Sequence, residues 1–260
     1  WVDRPITLRP NVPPSLRDQA TEELRGYNAH IEAMDDGLAT VLGALDAAGI
    51  ADDTIVVLTS DHGDMTMSQG LDHKLMPFDE SIRVPFLLRW PRVLGRARRD
   101  LPLPLDAPDL LPTLCGLCGV TAPARVEGRD YSEQVLGRRP LAGDEAALLT
   151  LPVPFTNVLR HGMKAWRGVR TARHTYVRNL DGPWLLFDNE ADPYQMRNLI
   201  GRPEAAAVQR DLEALLQARL AALGDRFEPA EVYLQRAGLT HYREVDPARW
   251  PAQPWRSPWE

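Results

Sequence analysis

Residues 54–91, TIVVLTSDHGDMTMSQGLDHKLMPFDESIRVPFLLRWP, hold two short apolar runs with a long polar loop between them. The first run, Thr54–Thr59, is apolar and β-branched, which predicts a fully buried strand. It stops at Ser60-Asp61-His62-Gly63, so a carboxylate and an imidazole follow the carboxyl end of the strand. Ligands bind at that end of the strands in open α/β sheets. The second run, Val84–Trp90, predicts another buried strand, so the stretch indicates an α/β fold with a site in the loop.

Three side chains of this loop have the chemistry of a metal and anion site. Asp61 and His62 are candidate metal ligands, and Gly63 would let the backbone turn so that both face one point. Lys74 is notable because the chain has 30 Lys and Arg residues, of which only Lys74 and Lys164 are lysines. Where composition favours arginine, a lysine beside a candidate metal site indicates a compact charge suited to one oxyanion oxygen. His73 is a candidate substrate contact beside it, although an exposed loop histidine is the commoner case.

The combined string resembles the sulfatases of the alkaline phosphatase superfamily. In that family a strand runs into S-D-H-G or S-D-N-G, a lysine follows, and E-S-x-R-V-P leads to a strand ending in W-P. The resemblance implies that Asp61 and His62 bind a metal and that Lys74 binds sulfate and assists the leaving oxygen. The metal would be Ca²⁺ in most members, and the imidazole ligand leaves Mn²⁺ or Zn²⁺ open. The substrate would be a sulfate ester.

The nucleophile of the family has no counterpart in this sequence. Sulfatases use a Cys or Ser in a C/S-x-P-x-R motif, oxidised to formylglycine, and no Cys or Ser here has that pattern. We therefore expect the chain to be the C-terminal portion of a sulfatase, with the formylglycine in a missing N-terminal half and little activity by itself. Two alternatives remain open. One is a phosphonate monoester or phosphodiester hydrolase of the same superfamily, and the other is a non-catalytic remnant that binds an anion or a partner.

The resemblance also implies a mixed, mostly parallel sheet flanked by helices, followed by a small antiparallel sheet with a helix. We expect residues 1–140 to form the C-terminal part of the catalytic α/β domain and residues 145–225 a small α+β subdomain. Residues 226–260 are rich in Pro and Trp and predict an irregular tail, with Trp250, Trp255 and Trp259 on the surface or on another subunit.

Periodicity and turn residues predict the individual elements. A helical apolar pattern from Ser15 to Gly49 predicts a helix packed on the sheet, and Leu101–Leu105 predicts a further strand. A short helix starts near Asp109; its Cys115 and Cys118 lack the second Cys or His pair of a zinc site and are interpreted as core residues. The subdomain strands and final helix are predicted at Ala146–Leu151, Arg167–Thr171, Thr175–Asn179, Trp184–Asp188 and Pro203–Leu223, with Asp181-Gly182 as a hairpin turn.

Composition excludes some classes of function. The net charge of −6 argues against nucleic acid as a partner. No apolar run approaches ~18 residues, so no membrane span is predicted. Localisation stays open between periplasmic or secreted and cytoplasmic, and the oligomeric state is equally open. Within the C-terminal portion, Gln195 stands where the family usually has Glu, which leaves one local hydrogen bond in question.

Overall fold

The computed structural model describes residues 3–155, 157–243 and 254–259, and it has an α/β fold with one long helix and two sheets. The strands are β1 (Val56–Thr59), β2 (Phe86–Arg89), β3 (Ala146–Leu151), β4 (Trp166–Thr171), β5 (His174–Asn179) and β6 (Gly182–Asp188). The helices are α1 (Arg17–Ala47), α2 (Asp79–Ile82), α3 (Pro91–Leu94), α4 (Leu110–Leu117), α5 (Ser132–Val135), α6 (Asn157–Arg160), α7 (Ala206–Leu223) and α8 (Ala230–Ala237). Within the described ranges, no helix is both long and apolar enough to cross a membrane.

The first sheet has two strands, β1 and β2, which pair antiparallel with Val56 opposite Arg89 and Thr59 opposite Phe86. Both predicted strands of the opening stretch are therefore present, but the expectation that they are buried is wrong, because none of their residues is buried and Leu87 is 62% exposed. A mostly parallel sheet was expected, yet every strand pair among the described residues is antiparallel. Mixed sheets commonly carry an antiparallel strand at one edge.

Helix α1 forms where the apolar periodicity predicts it, and Gly49 follows its end with a φ of 69°. Glycine tolerates this left-handed conformation, which ends helices. The apolar stripe of α1 is not packed on the sheet as expected. Its leucines are half-buried at most, and its other large apolar side chains are exposed, Met34 by 66%; Ala20 is the one buried residue of the helix. A stripe of this length open to solvent is characteristic of a surface that another structure covers.

The second sheet is an antiparallel meander in the order β3-β4-β5-β6, as predicted, with Asp181-Gly182 at the β5–β6 hairpin. Side chains alternate between its two faces. Tyr176 and Leu186 pack with Leu212 and Leu216 of α7, whereas their neighbours pack against the apolar side chains of the loop after β1. The loop contributes four buried side chains to this contact with the sheet: Met65, Leu71, Met76 and Phe78. The sheet thus lies between α7 and the loop that carries Lys74.

Three expectations about local structure are wrong. Leu101–Leu105 is not a strand, because Pro102 and Pro104 remove alternate N–H donors and the remaining hydrogen bonds are local. The C-terminal tail contains α8, which is too short for its periodicity to be evident in the sequence. Cys118 is exposed rather than in the core.

A buried arginine joins α8 to the second sheet. Arg167 of β4 is 1% exposed and donates to Asp225 Oδ2 at 2.6 Å and to the Tyr233 hydroxyl at 3.2 Å. Its guanidinium also lies 4.6 Å from the centre of the Phe227 ring. Because a buried charge requires compensation, these contacts fix the start of the tail against β4.

Gln195 retains the hydrogen bond that its replacement of Glu left in question. Its Oε1 accepts from the backbone N–H of Asp79 at 2.8 Å, and its Nε2 donates to Asn189 Oδ1 at 2.9 Å. The amide therefore serves both as acceptor and as donor in this buried position, next to the end of the Lys74 loop.

Candidate functional site

Asp61 and His62 follow β1 directly, in a turn held by Ser60. The Ser60 hydroxyl donates to the His62 carbonyl at 2.8 Å, and Asp61 Oδ1 accepts the His62 N–H at 2.9 Å. This backbone N–H is the main cause that lowers the pKa of Asp61 below its usual value. The exposed carboxylate is therefore ionised at neutral pH and free to bind a cation through Oδ2.

The hydrogen bonds of His62 fix which ring nitrogen carries the proton. Its Nδ1 lies 2.8 Å from the Gly63 carbonyl, which can only accept, so Nδ1 is the protonated nitrogen. Nε2 then presents its lone pair to the loop, 3.4 Å from Asp61 Oδ2. Lys74 Nζ lies 2.8 Å from the same Nε2 and donates to it. Of the three residues predicted to form one site, Asp61 and Lys74 thus each contact His62.

Gly63 is required by close packing. A Cβ at this position would lie 1.9 Å from the Glu80 carbonyl oxygen, and the Gly63 N–H donates to the Ser81 carbonyl at 2.9 Å. Its φ is not in the left-handed region, so the interpretation of Gly63 as a turn-forming residue is wrong. The contact joins the start of the loop to α2 and so fixes Asp61 and His62 relative to the end of the loop.

Lys74 stands between two residues with left-handed backbone, His73 with φ 58° and Leu75 with φ 74°. The backbone carbonyl of His73 accepts the Met65 N–H at 2.7 Å, which closes the loop on itself. The His73 imidazole is 66% exposed and lies 3.9 Å from Asp72 Oδ2. The structure therefore does not bring its ring into the contacts that Asp61, His62 and Lys74 share. The roles of all four residues in binding metal or substrate stay predictions.

Other contacts of the loop were not foreseen from the sequence. His161, just after α6, lies 3.4 Å from Asp72 Oδ1 and is the main cause that lowers the pKa of this carboxyl. Gln69 is buried and accepts hydrogen bonds from Trp255 and Trp259. These partners are 89 to 190 residues apart in sequence. No local pattern could have paired them.

The donor set fits part of a metal site. A carboxylate oxygen and an unprotonated imidazole nitrogen 3.4 Å apart can face the same cation. Among the residues that the structure describes, no group of three or more His, Cys, Asp or Glu side chains is placed to hold a metal ion. Asp61 and His62 thus offer two ligands, and a complete site requires further ones.

Two family models match the chain. The model described as Sulfatase matches residues 4–120, and the one described as N-sulphoglucosamine sulphohydrolase, C-terminal, matches residues 68–222. The second covers more than half of the chain and includes Lys74 and the whole second sheet. Their overlap, residues 68–120, includes Lys74 and the strand β2, whereas Asp61 and His62 lie within the first model alone.

Similar proteins of known activity agree with the family models. An ulvan-active sulfatase from Formosa agariphila is 39% identical over 233 residues, which are 89% of this chain and 45% of that protein. A structure solved in complex with its substrate, D-glucosamine-2-N,6-O-disulfate, is 25% identical with a TM-score of 0.67, covering 82% of this chain and 43% of that one. The phosphonate monoester hydrolase of Agrobacterium radiobacter is 27% identical with a TM-score of 0.60, covering 72% of this chain and 39% of that one.

These matches cover most of this chain but less than half of each matched protein. The chain spans a little under half the length of the ulvan-active sulfatase, and the structural matches likewise cover less than half of those chains. The similarity nevertheless extends over most of the present sequence and over both sheets. On the family models and the 39% identical relative, this chain belongs to the sulfatase family.

Proposed function

We propose that this chain forms the C-terminal part of a metal-dependent sulfatase and supplies two metal ligands and a sulfate-binding lysine to its active site. The observation that carries the proposal is that Asp61 and Lys74 both contact His62 Nε2 at the end of β1. An anionic ligand, a neutral imidazole and an ammonium are parts that can bind and polarise a sulfate ester.

Each of the three residues has a distinct task in this proposal. Asp61 and His62 would hold a divalent cation, with Ca²⁺ the first expectation and Mn²⁺ or Zn²⁺ the alternatives, and such a cation polarises the sulfuryl oxygens. The Gly63 carbonyl keeps the His62 proton on Nδ1, so that Nε2 has the lone pair that would bind the cation in place of the Lys74 ammonium. The Lys74 ammonium would donate to a sulfate oxygen and stabilise the negative charge that develops on the leaving oxygen.

The remaining parts of the active site would come from a preceding portion of the protein. The sequence has no C/S-x-P-x-R motif, and Asp61 and His62 are too few to complete a metal site. The exposed apolar stripe of α1 is a surface on which such a portion could pack. A formylglycine nucleophile would belong to that portion, so the present chain alone would turn over no ester.

A sulfated carbohydrate is the substrate class we propose. The support is the similarity to an ulvan-active sulfatase and to a structure that binds a sulfated glucosamine. Lys74 and the imidazole of His73 are both exposed in the loop, so a ring bearing more than one anionic group could contact both.

The second candidate is a phosphonate monoester hydrolase. The structural similarity to the Agrobacterium radiobacter enzyme favours it, and the same three side chains could serve a phosphonate. A lysine that binds one oxyanion oxygen does not by itself distinguish sulfate from phosphonate. The two candidates therefore require a direct comparison of substrates.

The test uses the protein with its preceding portion restored, assayed with an aryl sulfate and an aryl phosphonate monoester. Lys74→Ala should lower kcat/KM for the preferred ester about 100-fold or more, as for loss of one oxyanion donor. Lys164→Ala is the matched control, because this second lysine forms an exposed ion pair with Asp181 away from the site. Faster turnover of the phosphonate would replace the sulfatase assignment with the second candidate. Full activity in Lys74→Ala would refute the role of Lys74.

A further inference from the structure

We propose that Trp255 and Trp259 are positioning residues that hold the loop of Lys74 in its active conformation. We name residues 254–259 the tryptophan segment and residues 64–78 the lysine loop. The inference rests on the proposed function insofar as it concerns catalysis. Its physical basis lies in the backbone of the lysine loop and in the contacts of one buried side chain, Gln69.

The lysine loop has an unusual backbone. Within ten positions, five residues other than glycine have φ in the left-handed region: Thr66 (42°), Met67 (66°), Gln69 (59°), His73 (58°) and Leu75 (74°). Each such residue is disfavoured by contacts of its own Cβ. A loop of this kind keeps its shape only where surrounding structure determines it, and such loops concentrate at functional sites.

Gln69 is the residue of the lysine loop through which the surrounding structure forms its hydrogen bonds. It is 1% exposed, and its backbone N–H donates to the Asn11 carbonyl at 2.8 Å. Its side-chain Nε2 donates to the backbone carbonyls of Tyr194 at 2.9 Å and Gln195 at 3.0 Å. All the donors of Gln69 are thereby used on segments distant from the loop in sequence.

The acceptors of Gln69 are satisfied by the tryptophan segment. Trp255 Nε1 donates to the Gln69 backbone carbonyl at 2.8 Å, and Trp259 Nε1 donates to Gln69 Oε1 at 2.7 Å. Loss of either indole N–H would leave a buried oxygen without a donor, which is more costly than loss of an exposed hydrogen bond. The two indoles thus complete the hydrogen bonding of the most constrained residue in the loop.

Trp255 also reaches the other end of the lysine loop. Its ring packs edge-on against Phe78, with centroids 5.7 Å apart. Its backbone N–H donates to the His161 carbonyl at 2.8 Å, and the His161 ring is the one that lies 3.4 Å from Asp72. Asp72 is two residues before Lys74, so one segment braces the loop on both sides of the lysine.

The consequence is that Lys74 depends on residues about 180 positions further along the chain. If these contacts are removed, the left-handed residues can relax, and the loop no longer holds Lys74 beside the turn that carries Asp61 and His62. A small displacement of a charge-stabilising group is enough to reduce turnover. The effect should appear mainly in kcat, because Lys74 acts on the developing charge.

The experiment compares Trp259→Phe with Trp166→Phe in the protein that includes its preceding portion. Trp259→Phe keeps an aromatic ring and removes the N–H donor. Trp166 is a buried indole of the core against which Trp255 packs, and its Nε1 has no hydrogen-bond partner among the described residues, so its Phe variant controls for the loss of an indole ring. Trp259→Phe should lower kcat about tenfold, and Trp166→Phe less than about twofold.

Two further readouts separate positioning from a general loss of stability. In a double-mutant cycle, Trp259→Phe should add little to Lys74→Ala, because it acts through that lysine. Amide exchange should accelerate in residues 64–78 and stay unchanged in α7. Additive losses in the cycle or unchanged exchange in the loop would overturn the inference. If Trp259→Phe does not fold, Trp255→Phe carries the same test through the Gln69 carbonyl. If Lys74→Ala is fully active, the proposed function falls, and the exchange measurement still decides whether the tryptophan segment braces the loop.

Discussion

Gly63→Ala tests whether the candidate site is built by close packing between its turn and α2. The added Cβ would lie 1.9 Å from the Glu80 carbonyl oxygen and 3.0 Å from its carbonyl carbon, where ordinary contacts begin near 3.4 Å. Both obstacles are backbone atoms, so no side chain can rotate away. Insertion of a methyl group into a fully packed position costs about 1–3 kcal/mol. Because chains of roughly this size change by about 2–4 °C per kcal/mol, the melting temperature should fall by about 2–12 °C.

Gly37→Ala is a matched control that should raise the melting temperature rather than lower it. Gly37 is an exposed position inside α1, and a Cβ there meets nothing within 4 Å. Alanine in a helix interior is more stable than glycine by about 0.5–1 kcal/mol, so this variant should melt slightly above the wild type. Thermal melts of the three proteins under one buffer suffice. A Gly63→Ala protein that melts with or above the wild type would show that the turn and α2 are not packed as described.

Three further predictions concern charge and metal binding. Asp225→Asn leaves Arg167 buried without its carboxylate, so the free energy of unfolding should fall by about 3–5 kcal/mol in urea titrations. Asp181→Asn is the control: it breaks the exposed pair with Lys164 and should change the free energy of unfolding by less than about 1 kcal/mol. Hydrogen bonds from Arg173 lower the pKa of Asp188 from 3.8 to about 2, so its contribution to stability is present above pH 4 and is lost as pH falls towards 2. Asp188→Asn should flatten the stability profile across that interval, and a profile unchanged by the substitution would contradict the assignment. Calorimetry of the enzyme with its preceding portion should show weaker binding of the divalent cation in Asp61→Asn and unaltered binding in Asp64→Asn, whose carboxylate accepts the Thr66 N–H within the loop.

Regular elements could be predicted from sequence where local chemistry decides them. The meander β3-β4-β5-β6, the Asp181-Gly182 hairpin and α7 follow from alternation, turn residues and helical spacing. The environment of α1 could not be predicted, because periodicity indicates that a face is apolar and does not specify what covers it. Leu101–Leu105 shows the converse, since its apolar composition favours a strand and its two prolines prevent strand pairing.

Only the part of the candidate site that lies within one sequence motif could be predicted. Asp61, His62 and Lys74 lie within a single motif, and their contacts agree with the prediction that they converge. The residues that hold the loop, Gln69 and the two tryptophans, carry no motif and meet only through the tertiary fold. A strained loop is also invisible in sequence when its left-handed positions are occupied by Thr, Met, Gln, His and Leu rather than glycine.

The most direct test of whether this chain supplies only part of a sulfatase active site is aryl sulfate turnover by the 260-residue chain alone and by the same chain joined to its preceding portion. We expect turnover at the uncatalysed rate for the chain alone, because Asp61, His62 and Lys74 would bind and polarise the ester but form no covalent intermediate. Joined to the portion that supplies the nucleophile, the same chain should turn over the ester, and Lys74→Ala should lower that activity about 100-fold or more. Turnover by the chain alone that disappears in Lys74→Ala would show that the nucleophile lies within these 260 residues and not in a preceding portion.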